Sequence, residues 1–119
     1  MARENAVLNK SFEFAIRIVK LHQFLVKEKK EYVLSKQLLR SGTSIGANVN
    51  EAQAGQSRND FISKMTIASK EARESKYWIE LLVATGYLAK NDKYINSLLS
   101  DVFELTRILT SIVKTTREK

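Results

Sequence analysis

The chain has 119 residues, which suits a single domain over residues 1–119 that buries about two-thirds of the surface its unfolded form exposes. It contains no cysteine, which excludes disulfides, thiolate metal sites and cysteine nucleophiles and is typical of a reducing cytoplasm. Its net charge of +7 favours polyanionic partners, such as nucleic acid or an anionic membrane surface.

The first thirty residues predict one long helix with two apolar stripes. The stripes are Leu8, Phe12, Ala15, Val19 and Val26 on one face and Phe14, Ile18, Leu21 and Leu25 on the adjoining face. Their members recur mostly at steps of three and four, which is the spacing of a helix face. One bundle seam needs only one stripe, so the second predicts contact with something beyond the chain's own core.

A second helix is predicted from about residue 32 to 55, although its middle is rich in small residues. Gly42 and Gly46 lie one turn apart, and each costs a helix about 1 kcal/mol relative to alanine. That cost is offset where a neighbouring helix approaches closely at the two glycines. The alternative is a turn at residues 41–44, which splits the chain into two helical hairpins.

The third helix has recognisable signals at both ends. Ser57 followed by Asp60 resembles a capping box, with aspartate in place of the usual glutamate. Gly86 follows the last apolar residues and predicts the end of the helix. The apolar seam between these signals is Phe61, Met65, Ala68, Ala72, Ser75, Ile79 and Leu82.

The fourth helix has the most regular heptad spacing in the chain. Its apolar residues are Ile95, Leu98, Val102, Leu105, Leu109 and Ile112. Either Asn91 or Asp92 can cap its start, and we expect it to fray at residues 115–119. Helices joined by short connections alternate in direction, so the predicted fold is all-α, an antiparallel up-down-up-down four-helix bundle.

Charged residues interrupt every apolar run well before it could span a bilayer. The first residues also have no apolar core of signal-peptide length behind them. We therefore expect a soluble, cytoplasmic protein with no membrane partner.

Basic residues of the first helix are the strongest functional signal. Residues 1–30 carry seven Lys or Arg against three Asp or Glu, which gives +4. The predicted nucleic-acid contacts are Lys10, Arg17, Lys20, Lys27, Lys29 and Lys30. A strip of cations binds a phosphate backbone by releasing counterions. The alternative is a solvated lysine face on a protein-interaction scaffold that has no nucleic-acid role.

Catalytic and metal-binding patterns are weak. His22 is the only histidine, which excludes a two-histidine metal site, and we expect no metal or cofactor. Arg17 precedes it by five residues, a spacing that resembles the Arg-x-x-x-x-His motif of HEPN ribonucleases, although that motif lies in a later helix. A HEPN-like ribonuclease is therefore a second alternative. We expect instead a half-buried His22 and a protein that is not an enzyme.

Four carboxylates form another candidate group. Glu71 and Glu74 of the third helix could approach Asp101 and Glu104 of the fourth and serve as acid and base. Each has a lysine or arginine within helical reach in the sequence, so we expect solvated ion pairs along each helix instead.

The second helix carries the pattern Arg-Ser-x-x-Ser-Ile-x-x-Asn-x-x-Glu-[Gly/Ala]. It is met by Arg40, Ser41, Ser44, Ile45, Asn48, Glu51 and Ala52. Together with Ser57–Phe61 and Ala68–Ser75, this segment closely resembles the small four-helix bundle family named for 23S ribosomal RNA intervening sequences. The resemblance covers nearly the whole chain and implies that the small-residue segment is helical.

The resemblance also implies an assembly and a partner. The family includes reading frames within rRNA intervening sequences and is similar to the accessory variability protein of diversity-generating retroelements. That protein is a barrel-like homopentamer with a positively charged surface, and it binds nucleic acid and a reverse transcriptase. The resemblance thus implies a pentamer that binds RNA or DNA, with a reverse transcriptase as a possible protein partner. A closed ring also accounts for the second stripe, because each subunit then presents two different patches.

Overall fold

The computed structural model describes residues 2–118, and the side chains of residues 6–118. The four helices are α1 (Ala2–Lys29), α2 (Leu34–Gln53), α3 (Arg58–Ala84) and α4 (Lys93–Glu118). Each helix packs on its neighbours in sequence, and α1 also contacts α4, which closes the bundle. The predicted all-α, antiparallel up-down-up-down four-helix bundle is confirmed. Over these residues, no helix combines the length and apolarity needed to cross a membrane.

The core takes only one of the two stripes of α1. Its buried residues on this helix are Val7, Phe14, Ile18, Leu21 and Leu25, together with Ser11. On the other stripe, Phe12 is 65% exposed and Val19 is 37% exposed. The second stripe therefore lies largely outside the core of this chain.

The small-residue segment is a continuous part of α2, as predicted, and the alternative turn at residues 41–44 is wrong. A Cβ atom added to Gly42 would lie 2.7 Å from Cγ1 of Ile18. At Gly46 the added atom would lie 3.3 Å from the carbonyl oxygen of Ser11. The two glycines therefore allow α1 and α2 to pack at close range.

The helix α2 begins two residues later than predicted because Glu31 caps it. The Glu31 carboxylate accepts hydrogen bonds from the backbone N–H groups of Ser35 at 2.7 Å, Leu34 at 3.1 Å and Val33 at 3.3 Å. Burial opposes ionisation of this carboxyl, but these hydrogen bonds outweigh it and lower its pKa. The turn before it places Lys30 at a φ of 54°.

Both predicted signals of α3 are confirmed. The Ser57 hydroxyl accepts a hydrogen bond from the Asp60 N–H at 3.1 Å. At the other end, Gly86 has a φ of 89°, and the N–H of Tyr87 donates to the carbonyl of Leu82 at 3.0 Å. This pattern is a Schellman ending, which needs the left-handed conformation that glycine adopts readily.

Of the two residues proposed to cap α4, Asp92 does so. Its carboxylate accepts hydrogen bonds from the N–H of Tyr94 at 2.8 Å and of Ile95 at 3.3 Å. The predicted fraying is wrong for residues 115–118, which stay helical, whereas Lys119 lies outside the described residues. The last turns are held because Ile112 and Val113 are buried. In addition, Nη2 of Arg58 donates to the Arg117 carbonyl at 3.3 Å.

Candidate nucleic-acid interface

The six cations predicted to contact nucleic acid, five on α1 and Lys30 directly after it, fall into two groups. Lys10 and Arg17 form ion pairs with α4: Nζ of Lys10 lies 2.8 Å from Oε1 of Glu104, and Nη1 of Arg17 lies 2.5 Å from Oδ2 of Asp101. The other four are exposed and form no ion pair with any described residue. These four, named here the α1 lysines, are Lys20, Lys27, Lys29 and Lys30.

The Lys10–Glu104 pair also changes the acidity of both groups. The hydrogen bond and the charge of the partner raise the pKa of Lys10 and lower that of Glu104. Both side chains are about half exposed, so water and salt screen the pair. The Lys10 charge is thus directed at α4.

Arg17 is a structural link between α1 and α4. Its guanidinium lies over the Tyr94 ring, with Cζ 4.6 Å from the ring centroid. It also donates to the Ser97 hydroxyl at 3.2 Å and to the Tyr94 carbonyl at 3.3 Å. With the Asp101 ion pair, these contacts commit the guanidinium to the bundle.

The structure does not bring His22 and Arg17 together. His22 is half-buried, as expected, and its Nδ1 lies 3.3 Å from the carbonyl oxygen of Ser35 at the start of α2. Arg17 instead contacts α4. Within the described residues, no group of three or more metal-ligating side chains is placed to hold a metal ion.

The four carboxylates of α3 and α4 form ion pairs with other helices. Arg40 of α2 contacts Glu71 at 3.1 Å and also binds Glu74. Asp101 and Glu104 bind the two cations of α1 described above. The predicted ion pairs are confirmed, but their cations lie on adjacent helices instead of the same helix, because long basic side chains reach across.

Contacts within the bundle account for part of the residue pattern that carries the family resemblance. Arg40 holds α2 to α3 through the ion pairs just described. Ser41 is fully buried and its hydroxyl accepts a hydrogen bond from that of Ser75 at 2.9 Å. The Asn48 amide donates to the carbonyl of Ser44 at 2.9 Å, within α2 itself. Arg40 and Ser41 therefore join α2 to α3, whereas Asn48 is bonded within its own helix.

A second basic surface lies between α3 and α4, and the sequence reasoning missed it. This α3–α4 groove has a volume of about 410 Å³. Its basic lining residues are Lys70, Arg73, Lys114 and Arg117. All four are exposed, and none forms an ion pair with a described residue. Glu118 is the single carboxylate among its lining residues.

Hydroxyl groups lie among the cations of the α3–α4 groove. Ser69 and Thr110 form a hydrogen bond across it at 3.3 Å, and Nη2 of Arg73 donates to the Thr110 hydroxyl at 3.5 Å. A neighbouring depression shares Arg73, Thr110 and Lys114 and adds Arg107. Cations with hydroxyl donors are the groups that commonly contact phosphate oxygens.

Helical spacing could have revealed the α3–α4 groove. Lys70 and Arg73 lie three residues apart, and Arg107, Lys114 and Arg117 follow steps of seven and three. Such residues share one face of a helix. The sequence alone places Glu71 and Glu74 among these cations, but both carboxylates bind Arg40 of α2 and leave the basic face unneutralised.

The fold and these surfaces define a small four-helix bundle with exposed basic faces. The chain belongs to the family of 23S rRNA-intervening sequence proteins, whose family model matches residues 3–111. The predicted resemblance is thereby confirmed.

A solved structure agrees with this assignment. The chain is 54% identical to a Bacteroides thetaiotaomicron protein with unknown function from the S23 ribosomal protein family. That crystal structure matches with a TM-score of 0.90, over 94% of this chain and 98% of the other. Among curated proteins, none matches the chain.

Proposed function

We propose that the protein is a non-catalytic, cytoplasmic accessory protein that binds the backbone of RNA or DNA. One observation carries this proposal: eight cations, the four α1 lysines and the four of the α3–α4 groove, are exposed and form no ion pair with a described residue. Phosphates fit such surfaces, and their binding is driven by counterion release. The family resemblance described above also implies a nucleic-acid ligand.

Binding of this kind is independent of sequence. Lysine and arginine contacts to phosphates fix position but do not read bases. Affinity should therefore fall steeply with salt, with a slope of roughly −0.9 per neutralised phosphate on duplex DNA.

Charge reversal at each surface tests the proposal. The variants are Lys20→Glu/Lys27→Glu on α1 and Lys70→Glu/Lys114→Glu in the α3–α4 groove. Fluorescence anisotropy with a structured RNA and a DNA duplex should show at least a tenfold loss for each. The salt slope should shrink by about 2, because two phosphate contacts are lost.

The matched control is Lys36→Glu/Lys76→Glu, which changes the net charge equally at exposed positions outside both surfaces. We expect this control to retain most of the affinity. An equal loss in the control, or no binding by the unmodified protein in dilute buffer, would contradict the proposal. The protein-interaction scaffold would then be the better account.

We also propose that the protein forms a homo-oligomer, a pentamer, through the exposed stripe of α1. Phe12 is 65% exposed, beside a groove of about 540 Å³ between α1 and α2 that is also lined by Leu8 and Ala47. Light scattering should give a mass of several chains, and Phe12→Glu should reduce it to one. A single-chain mass for the unmodified protein would contradict this.

A reverse transcriptase as partner stays a prediction from the resemblance.

A further inference from the structure

An apolar pocket lies at the end of the bundle where α1 ends and α3 turns into α4. Its volume is about 460 Å³, which is within the range of small-molecule sites. Three aromatic rings line it, those of Phe24, Tyr87 and Tyr94, together with the two lysines Lys20 and Lys29. Both lysines belong to the α1 lysines.

The aromatic rings of this pocket are open to solvent. Phe24 and Tyr94 are each 42% exposed and Tyr87 is 36% exposed, whereas Leu88 and Ile95 beside them are buried. The rings therefore contribute surface that the core does not use.

The Tyr94 ring is held in place. Its hydroxyl donates to the carbonyl of Arg17 at 3.4 Å, and the Arg17 guanidinium packs on the ring. A ring fixed before binding loses little conformational entropy when a ligand stacks on it.

The charge around the pocket is positive. The ammonium of Lys29 lies 6.0 Å from the Phe24 ring centroid, and neither Lys29 nor Lys20 forms an ion pair with a described residue. The one carboxylate lining the pocket, Asp92, is committed to capping α4. The pocket thus fits a ligand with a flat aromatic part and an anionic part.

We propose that this pocket stacks an unpaired base of single-stranded RNA or DNA while Lys20 and Lys29 contact the adjacent phosphates. Aromatic rings beside cations are the usual means of binding single strands, because every base has a face that can stack. A base within a duplex is already stacked and paired, so it cannot enter. The inference rests on the proposed function and adds a preference for single strands.

Alanine variants of the pocket test this inference. Anisotropy is measured with a labelled 12-nucleotide oligo(U), its oligo(dT) counterpart and a duplex hairpin, at one fixed salt concentration. Phe24→Ala and Tyr87→Ala should each weaken single-strand binding roughly 5- to 140-fold, the range for loss of one stacked base. Duplex binding should change less than twofold.

Two further variants keep the result interpretable. Tyr77→Ala is the matched control, because this tyrosine is 56% exposed on α3 and does not line the pocket. Phe24→Leu retains apolar packing but removes the ring, so it should lose single-strand affinity with an unchanged melting temperature.

Each contrary outcome has a distinct meaning. If the pocket variants bind single strands as well as the unmodified protein, or lose single-strand and duplex binding equally, the stacking inference is overturned and backbone binding stands. Tight binding of UMP alone, equal to that of oligo(U), assigns the pocket to a free nucleotide and also overturns it. Failure of the unmodified protein to bind any of the nucleic acids in dilute buffer overturns the proposed function as well.

Discussion

The helix α1 packs on α2 and on α4 by different means. Toward α2, Gly42 brings the backbones together over the fully buried Ile18. Toward α4 the contact is the least extensive of the four helix contacts in the described chain, and the Lys10 and Arg17 ion pairs bridge it. Both sides of α1 share the buried core. The α2 side adds a close backbone approach at Gly42, and the α4 side adds the contacts of Arg17 with Asp101 and Tyr94.

The positions of the carboxylates on α4 explain why some cations of α1 form no ion pair with it. The carboxylates Asp101 and Glu104 lie opposite Arg17 and Lys10. Residues 93–100, the first two turns of α4, contain no carboxylate. The C-terminal half of α1 therefore has no acidic partner on α4, and its lysines remain on the surface.

The largest expected effect comes from closing the space between α1 and α2. Gly42→Val adds three carbon atoms where a single Cβ would already lie 2.7 Å from Ile18. We expect it to lower the free energy of unfolding by about 3 kcal/mol, because overpacking forces the helices apart. Urea denaturation measures the change.

The control for this variant is Gln37→Val at an exposed position of the same helix that lies outside the groove between α1 and α2. It introduces the same β-branched side chain without a clash, so only the helix-propensity difference of about 0.5 kcal/mol should appear. If the two variants were equally stable, the close approach at Gly42 would be contradicted.

A smaller effect is expected where the chain turns between α1 and α2. Glu31→Gln removes the charge that caps α2, and we expect it to reduce the free energy of unfolding by about 1–2 kcal/mol at pH 7. The folded-state pKa of Glu31 is lowered, so its contribution is complete above the unfolded value of about 4.3. It is lost as the pH falls through the lower, folded-state pKa.

The stability difference between Glu31→Gln and the unmodified protein should therefore narrow below about pH 4. Glu28→Gln is the control, since Glu28 is exposed in the last turn of α1. Glu28→Gln should change the free energy of unfolding less than Glu31→Gln does. A difference for Glu31→Gln that stayed constant from pH 7 to pH 3 would contradict the capping role.

Apolar periodicity predicted the fold because a bundle core depends on which residues share a helix face. It also predicted that the segment around Gly42 is helical, because Leu38, Ile45 and Val49 keep helical spacing through it. Spacing also predicted correctly that α3 begins after Ser57 and ends before Gly86. It did not predict the end of α4, where Val113 is buried and Arg58 of α3 donates to the Arg117 carbonyl.

The candidate nucleic-acid interface was harder to predict than the fold, because it also depends on contacts between helices. Spacing within a helix shows which residues share a face, but not which neighbouring helix that face meets. Spacing therefore predicted that Arg17 is a free surface cation, although its guanidinium contacts Asp101 and Tyr94. The opposite holds for Lys70 and Arg73. The sequence suggests that the adjacent carboxylates Glu71 and Glu74 neutralise them, but these carboxylates bind Arg40.

The contact between α1 and α4 gives the smallest expected effects. Arg17→Ala removes an ion pair and the contact with the Tyr94 ring, and we expect it to lower the free energy of unfolding by about 1 kcal/mol. Arg17→Lys should lose less stability than Arg17→Ala but still some, because an ammonium lacks the planar fork that binds Asp101 while stacking on Tyr94.

The control is Lys10→Ala. It should match the stability of the unmodified protein, because solvent and salt screen the exposed pair of Lys10 with Glu104. Urea denaturation in low and high salt separates these outcomes. Equal losses for Arg17→Ala and Lys10→Ala would show that net charge, rather than the Arg17 contacts, holds α4 against α1.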